Sequence, residues 1–228
     1  MTKIVFISDV HQQHKQLVIP ECDILVSAGD YSFQGQPQEI EEFHKWFDKQ
    51  PAEHLISVQG NHEVWVERNF EISKKLVSKI CPRAHFVDEG LVEINDLKFW
   101  CSAVTPFFCD WAWNVNRGSP IRKHWDLIPE DADILVTHGP VANILDETLF
   151  GEHVGCWDLH DKIKEIKPKI HASGHIHPSY GTKTEDGILF LNASVCDEEY
   201  NVVNLPIVVE IDADKKVTPV LNIVLNFA

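Results

Sequence analysis

Five short polar strings, each following an apolar run typical of a β-strand, constrain the fold of this chain more than any other feature. They are Ser8-Asp9-Val10-His11, Gly29-Asp30, Gly60-Asn61-His62-Glu63, Thr137-His138-Gly139 and Gly174-His175-Ile176-His177. Because ligands of α/β sheets gather at the carboxyl ends of the strands, five such ends can converge on one crevice. The pattern therefore predicts a sheet protein with one polar site.

The side chains in these strings are carboxylates, an amide and imidazoles, and together they offer enough ligands for two metal ions. A set of oxygen and imidazole donors without a thiolate suits Mn, Fe or Zn better than the all-oxygen shells of Ca or Mg. Each string alone is weak evidence, since Gly-Asp and Gly-Asn-His are also ordinary turn sequences. All five occurring in order, at predicted strand ends, favours a dinuclear metal site.

The chain has 228 residues and no Gly/Ser/Pro-rich or charged block divides it, so we expect one domain over residues 1–228. We find no secretory signal and no run near the roughly 20 apolar residues of a membrane helix. The six cysteines are irregularly spaced, which is typical of reduced thiols. We therefore expect a soluble, cytoplasmic protein without membrane attachment; its oligomeric state is left open.

The formal net charge of −15 arises from 20 Lys and Arg against 35 Asp and Glu, and no basic cluster is visible. Extended binding to duplex nucleic acid is therefore disfavoured. Two divalent ions beside Asp9 and Asp30 would nevertheless make the site itself positive. We expect a small anionic substrate to bind there.

Apolar spacing predicts helices over 37–50, 68–80 and 158–167, the last with Asp158 as its N-cap. From residue 91 onward strands prevail. They are predicted over 91–94, 98–104, 134–137, 170–173, 188–192, 207–211 and 217–225. Two sheets packed face to face with helices outside is the natural arrangement of these elements.

The ordered strings resemble the signature of the calcineurin-like metallophosphoesterases, which reads D-x-H, G-D, G-N-H-[DE], a later H and then G-H-x-H. Further strings are similar to the metallophosphoesterase-domain-containing branch of that family; among them are Gly29-Asp30-Tyr31, Trp125-Asp126-Leu127-Ile128-Pro129, Val154-Gly155-Cys156 and Asn192-Ala193-Ser194. The resemblance implies an α/β fold, a four-layer α/β/β/α sandwich of two facing mixed sheets with outer helices.

The resemblance also implies roles for individual residues. One metal ion would be held by Asp9, His11 and His177, the other by Asn61, His138 and His175, and Asp30 would bridge the two. Mn²⁺ is the expected ion, with Fe or Zn as alternatives. A hydroxide shared by ions about 4 Å apart would attack phosphorus.

His62 follows the ligand Asn61 and, by the same resemblance, faces the scissile phosphate. An imidazole has an ordinary pKa near 6.5 and can protonate a leaving oxygen at neutral pH, so His62 is the candidate general acid. Ligating imidazoles usually donate their second N–H. Asp88, Glu63 and backbone carbonyls are the candidate acceptors.

The segment from Thr105 to Trp125 is aromatic and carries few signals of regular structure, so we expect a long functional loop. Two interpretations stay open. Trp111 or Trp113 stacks a base or caps the pocket while Arg117 contacts phosphate, or the aromatic side chains form a small core of their own. The string Asn192-Ala193-Ser194 is expected to be a turn at a strand end near the site.

The leading functional hypothesis is a metal-dependent phosphodiesterase that hydrolyses a small nucleotide, such as a 2′,3′- or 3′,5′-cyclic mononucleotide. A phosphomonoesterase or protein phosphatase is the alternative. Arg68 lies several residues after the position at which phosphatases of this superfamily carry an arginine, which favours a diester. A second alternative is a catalytically weak scaffold, but such proteins lose ligands and His175 is present here.

Overall fold

The computed structural model describes residues 1–220, which contain fourteen strands and five α-helices. The strands are β1 (Thr2–Ile7), β2 (Cys22–Ala28), β3 (Ala52–Val58), β4 (Ala84–Val87), β5 (Glu89–Ile94), β6 (Leu97–Ser102), β7 (Thr105–Pro106), β8 (Asn114–Val115), β9 (Ile134–Thr137), β10 (Ile170–Ser173), β11 (Gly181–Glu185), β12 (Ile188–Asn192), β13 (Ile207–Ile211) and β14 (Val217–Val220). The helices are α1 (Pro37–Phe47), α2 (Val64–Arg68), α3 (Phe70–Ile80), α4 (Ser119–Trp125) and α5 (Trp157–Ile166).

Twelve of the strands form two six-stranded sheets, with the orders β14-β13-β1-β2-β3-β4 and β11-β12-β10-β9-β6-β5. In the first sheet β1 to β4 are parallel, while β13 and β14 are antiparallel to their neighbours. In the second sheet β12, β10, β9 and β6 are parallel and the edge strands β11 and β5 are antiparallel. Both sheets are therefore mixed, as predicted.

The main core lies between the two sheets, because alternate residues of each strand face opposite sides. In β1, Ile4 and Phe6 point toward the second sheet and join its side chains in one buried cluster. Val5 and Ile7 point the other way, into a cluster shared with α1 and α3. Since both faces of β1 are covered, its sequence is continuously apolar rather than alternating.

Helices cover the outer face of each sheet. Phe43 and Phe47 of α1 and Val77 of α3 pack on the first sheet. Trp125 of α4 and Leu159 of α5 pack on the second. The four-layer α/β/β/α sandwich is thus confirmed. No helix within residues 1–220 is long and apolar enough to cross a membrane.

Several predicted boundaries differ from the structure. The helix predicted over 68–80 is α3, which begins only at Phe70, because the chain leaves helical geometry at Asn69, where φ is −135°; Arg68 is the last residue of α2. Asp158 is not an N-cap: α5 begins at Trp157, and the Asp158 carboxylate accepts the Gly118 amide at 2.9 Å. The strand predicted over 217–225 is β14 up to residue 220; its remainder lies outside the described residues.

The predicted long loop between residues 105 and 125 contains more regular structure than expected. Strands β7 and β8 pair with each other, and helix α4 begins at Ser119 with a proline in its first turn. Short strands of two residues carry no periodic signal, which is why the sequence did not reveal them.

The buried imidazole of His44 generates a prediction about acid stability. Burial lowers the pKa of His44 to about 4, against about 6.5 in an unfolded chain. Between these values the unfolded chain takes up a proton that the folded chain does not, so stability falls as the pH falls. For His44 the loss between pH 7 and pH 5 is about 2 kcal/mol.

We expect the His44→Gln variant, although less stable at pH 7, to lose about 2 kcal/mol less than the parent protein on going to pH 5. Urea unfolding of both proteins at both pH values measures this difference. An identical pH dependence in the two proteins would show that His44 takes up its proton at pH 5 in the folded chain as it does in the unfolded chain.

Candidate metal centre

The polar strings of the sequence lie at the carboxyl ends of parallel strands from both sheets. In the first sheet β1 leads to Asp9 and His11, β2 to Asp30, and β3 to Asn61 and His62; in the second sheet β9 leads to His138, and β10 to His175 and His177. All of these residues are buried or nearly so. The site therefore lies where the carboxyl ends of strands from the two facing sheets come together.

Asp9, His11 and His177 form the first ligand group, and their ligand atoms lie within 4.8 Å of one another. The Nε2 atom of His177 is 3.3 Å from Asp9 Oδ1 and 3.3 Å from His11 Nε2. Three donors from β1 and β10 thus converge on one point.

The second ligand group contains Asp30, His138 and His175, again within 4.8 Å of one another. The Nε2 atom of His138 lies 3.2 Å from Asp30 Oδ2 and 2.8 Å from Asn61 Oδ1, so Asn61 belongs to this group as well. Asp30 also forms a compact group with His11 and His62. Its carboxylate therefore stands between the two ligand groups.

The second ring nitrogens of three imidazoles donate to backbone carbonyls. His138 Nδ1 lies 2.9 Å from the carbonyl oxygen of Ala28, and His177 Nδ1 lies 2.8 Å from that of Asp197. His62 Nδ1 is 3.0 Å from the carbonyl oxygen of Phe33. Because a carbonyl only accepts, Nδ1 carries a proton, and Nε2, which bears the lone pair of the neutral ring, faces the carboxylates.

This arrangement fits divalent cations, since lone pairs and carboxylate oxygens point at each other across about 3 Å. The electrostatics favour positive charge in the same places. Burial alone would lower the pKa of His138, but the charge of Asp30 and its hydrogen bond raise it to about 9. Burial would also lower the pKa of His177, but its hydrogen bond with Asp9 and the charge of Asp9 raise this pKa to about 9.

The two carboxyl groups respond in the opposite sense. Burial would raise the pKa of Asp9, yet the hydrogen bond and charge of His177 hold it well below its ordinary value. In Asp30 the same effect of burial is outweighed by the imidazoles of His138 and His62, and the pKa is likewise lowered. Both groups are therefore ionised and able to bind metal.

Glycines precede several of the candidate ligands because neighbouring segments of the chain approach too closely there for a side chain. A Cβ atom at Gly60 would lie 2.3 Å from Asp30 Oδ1, and one at Gly174 would lie 2.2 Å from Asp9 Oδ2. Four of the ligand residues themselves have left-handed backbones, with φ values between 41° and 68°: Asp9, His11, Asp30 and His175. Strain of this kind is typical of functional sites.

Glu63 serves a role other than the predicted orientation of an imidazole. Its Oε2 atom accepts the Asp30 amide at 2.9 Å and the Gly60 amide at 2.7 Å, and its Oε1 atom accepts the Ser32 amide at 3.0 Å. Burial, and then the charge of Asp30, raise the pKa of Glu63 to about 8. Glu63 thus joins the loops after β2 and β3. The carboxylate of the other predicted acceptor, Asp88, accepts the Glu89 amide at 2.8 Å.

Ser194 is a site residue to which the sequence reasoning assigned no role. Its Oγ atom lies 2.7 Å from Asp9 Oδ2, and Asp9 also accepts the His175 amide at 2.9 Å. The string Asn192-Ala193-Ser194 is buried and lies at the end of β12 beside the site, but the predicted turn is absent there, because Ser194 forms a parallel β-bridge with Ser8. The resemblance of that string was the signal that could have revealed Ser194.

A cavity of about 440 Å³ opens over the ligand groups. Its floor includes Asp30, His62 and His175, and its aromatic wall is formed by Phe107, Phe108, Trp111 and Tyr200. The ring of Trp111 meets that of His62 edge-on, with centroids 4.1 Å apart.

The other two predicted substrate contacts are engaged with the protein itself. Trp113 is not among the residues that line this cavity; it packs against the outer core of the first sheet. Arg117 lines the cavity, but its guanidinium donates to the carbonyls of Gly155 at 2.8 Å and Val154 at 2.7 Å. Of the two tryptophans, only Trp111 is positioned to meet a ligand.

Comparison with known proteins agrees with this geometry. A family model described as calcineurin-like phosphoesterase matches residues 2–179, which include every predicted metal ligand. The chain belongs to the calcineurin-like phosphoesterase family. Metallophosphoesterase domain-containing protein 1 of Homo sapiens is 32% identical over 231 aligned residues, covering 92% of this chain and 71% of the human protein. The predicted branch of the family is therefore confirmed.

Solved structures share the fold at low identity. A phosphopantetheinyl hydrolase from Mycobacterium tuberculosis superimposes with a TM-score of 0.61 at 15% identity, over 87% of this chain and 90% of that chain. A structure described as an archaeal phosphodiesterase gives a TM-score of 0.51 at 18% identity, over 96% of this chain and 98% of that chain. Proteins of very different sequence thus share this fold.

The position of Asp30 between the ligand groups predicts that its charge serves both metal ions. We expect Asp30→Asn to weaken both, because each loses part of a shared negative charge, and to lower phosphoesterase turnover by orders of magnitude. Metal content after dialysis, with Asp110→Asn as a control at an exposed aspartate near the cavity, measures the effect. Full metal content in Asp30→Asn would exclude the bridging role.

Proposed function

We propose that this protein is a metal-dependent phosphodiesterase that hydrolyses small nucleotide diesters, such as 2′,3′- or 3′,5′-cyclic mononucleotides, at a dinuclear centre. The observation that carries the proposal is the Asp30 carboxylate shared by two ligand groups at the floor of an aromatic cavity. The family establishes phosphoester hydrolysis with divalent ions, and the diester and the nucleotide are our inference.

The proposal assigns the first ion to Asp9, His11 and His177 and the second to Asn61, His138 and His175, with Asp30 between them. When bound, such ions polarise the phosphoryl oxygens and lower the pKa of water toward about 7. We propose Mn²⁺ because the donors are oxygen and imidazole without thiolate, a set that also accepts Fe and Zn.

The charges around the cavity favour a diester over a monoester. A monoester dianion needs more cationic partners than a diester monoanion. Arg117 is committed to two backbone carbonyls, and Arg68, at the end of α2, is not among the residues that line the cavity. Glu198 adds an acidic group to the same lining. The singly charged substrate therefore fits better.

The aromatic wall supports a nucleotide as the alcohol part of the substrate. Bases of any sequence stack on aromatic rings. Trp111 stands beside His62, so a base on its indole would belong to a nucleotide whose phosphate reaches the floor of the cavity. We also propose a cytoplasmic location, in keeping with six cysteines that are all free.

His62 would act on the leaving group. Its Nδ1–H is held by the Phe33 carbonyl, which directs Nε2 toward the cavity, 3.9 Å from Asp30 Oδ2. In its doubly protonated form the imidazole can donate the Nε2 proton to the departing alkoxide, while the Asp30 carboxylate stabilises the charge of the ring. The backbone of His62 is fixed as well, since its amide donates to Asp30 Oδ1 at 2.9 Å.

This role predicts that His62→Ala retains metal and loses about 10²- to 10⁴-fold in rate on a substrate with an alkoxide leaving group. The loss should be much smaller with p-nitrophenolate, which leaves without protonation. His85→Ala, at an exposed histidine of β4, is the control. A His62→Ala protein that loses metal, or that loses equal activity on both substrates, contradicts the general-acid assignment.

The two tryptophans offer a matched test of base recognition. A base stacked on an indole contributes about 1–3 kcal/mol, so Trp111→Ala should raise KM for a cyclic nucleotide roughly 5- to 150-fold and leave a simple aryl diester nearly unaffected. Trp113→Ala should instead lower the melting temperature and both activities together, because it removes packing. Parallel losses on both substrates in Trp111→Ala would mean that its ring serves only to support His62.

A further inference from the structure

The ring of His11 is held differently from the rings of His138 and His177. Its Nδ1 atom is buried and has no hydrogen-bond partner among residues 1–220. A metal-ligating histidine usually donates this N–H to a carbonyl or carboxylate, which sets the ring orientation and the basicity of the other nitrogen. Such a bond orients His138 and His177 but not His11.

Two aromatic side chains contact the His11 ring instead. Phe33 is stacked on it, with centroids 5.7 Å apart and planes inclined by 26°. Tyr200 lies closer, at 4.6 Å and 58°. Phe33 and Tyr200 also meet each other edge-on at 5.2 Å, so the three rings form one packed unit. We call Phe33 and Tyr200 the aromatic clamp.

The local backbone fixes the position of Tyr200. The Asp197 carboxylate accepts the amides of Glu199 at 3.0 Å and Asn201 at 2.8 Å, and Tyr200 adopts a left-handed conformation with φ of 63°. The Asp197 carbonyl also receives the Nδ1–H of His177. One short loop thus orients two ligands of the same group, His177 by a hydrogen bond and His11 by ring contact.

We infer that the aromatic clamp is the positioning device for His11 and that it sets the affinity of the Asp9–His11–His177 group for its metal ion. The inference rests on the proposed function, since it takes His11 as a ligand. Packing can replace the missing hydrogen bond because it removes the freedom of the ring to rotate about its side-chain bonds. The ring of Tyr200 is what the clamp requires, and its hydroxyl is not.

Changes in the residues that support a ligand typically cost 10- to 100-fold in metal affinity. Tyr200→Ala should therefore weaken one of two Mn²⁺ sites by about that factor, whereas Tyr200→Phe should bind within about twofold of the parent protein. Phe33→Leu should weaken the same site. Phe33 does not line the cavity, so its effect is independent of substrate contacts. Its backbone carbonyl, which accepts His62, is unchanged by the substitution.

The experiment is a titration of each apoprotein with MnCl₂ alone, in which the electron paramagnetic resonance signal of free Mn²⁺ counts the bound ions. Melting temperature and circular dichroism monitor folding. Turnover of bis-p-nitrophenyl phosphate is measured at limiting and at excess Mn²⁺. We expect kcat of Phe33→Leu to recover at excess Mn²⁺, since Phe33 does not line the cavity and only metal retention is impaired.

Three results overturn the inference: Mn²⁺ binding of Tyr200→Ala and Phe33→Leu equal to that of the parent, weakening in Tyr200→Phe as great as in Tyr200→Ala, or no recovery of Phe33→Leu at excess Mn²⁺. The second result would assign the role to the hydroxyl. The parent protein separates this test from the proposed function. If it binds fewer than two Mn²⁺ or does not turn over the diester, the dinuclear phosphodiesterase fails; if it does both, only the clamp is under test.

Discussion

The Asp30 carboxylate must lie between two groups of imidazoles that the two sheets supply together, and much of the local structure serves that requirement. Two sheets packed face to face bring their strand ends together only where no side chain intervenes, which is why the residue before Asp30 is Gly29: a Cβ atom there would lie 2.5 Å from His138 Nδ1 of the second sheet. Glu63 then ties the backbone of Asp30 to that of Gly60 through two hydrogen bonds to one carboxylate oxygen. The position of Asp30 is thus fixed through its own backbone amide.

Burying so many ionisable groups is costly unless each one is paired. The centre meets this cost in two ways. Backbone carbonyls accept the Nδ1 protons of His138, His177 and His62, while the carboxylates face their Nε2 atoms. A cation between an Nε2 atom and a carboxylate pairs with both groups. Where no cation is bound, a proton shared by the two groups pairs them instead, in keeping with the raised pKa of His138. The fold therefore prepares a site for positive charge before any ion binds.

Many elements of the fold were predictable because they are repetitive. Strands such as β9, β10 and β12 match the predicted ranges residue for residue, since short apolar runs bounded by turn residues are a local signal. The break between α2 and α3 and the pairing of β7 with β8 were not predicted. These features depend on contacts with distant segments, such as the bond from the Ala112 amide to the Asn61 carbonyl at 3.1 Å.

What the sequence by itself determined is the set of candidate ligands, because each lies in a short motif at the end of a strand and the order of the motifs is characteristic of the family. Only the tertiary structure decided what surrounds them. Trp111 and Trp113 are the same residue type two positions apart, yet Trp111 lines the cavity and Trp113 packs against the outer core of the first sheet. Tyr200 carries no motif, and its contact with His11 spans nearly the whole chain. Such contacts are set by long-range packing, which short patterns in a sequence do not record.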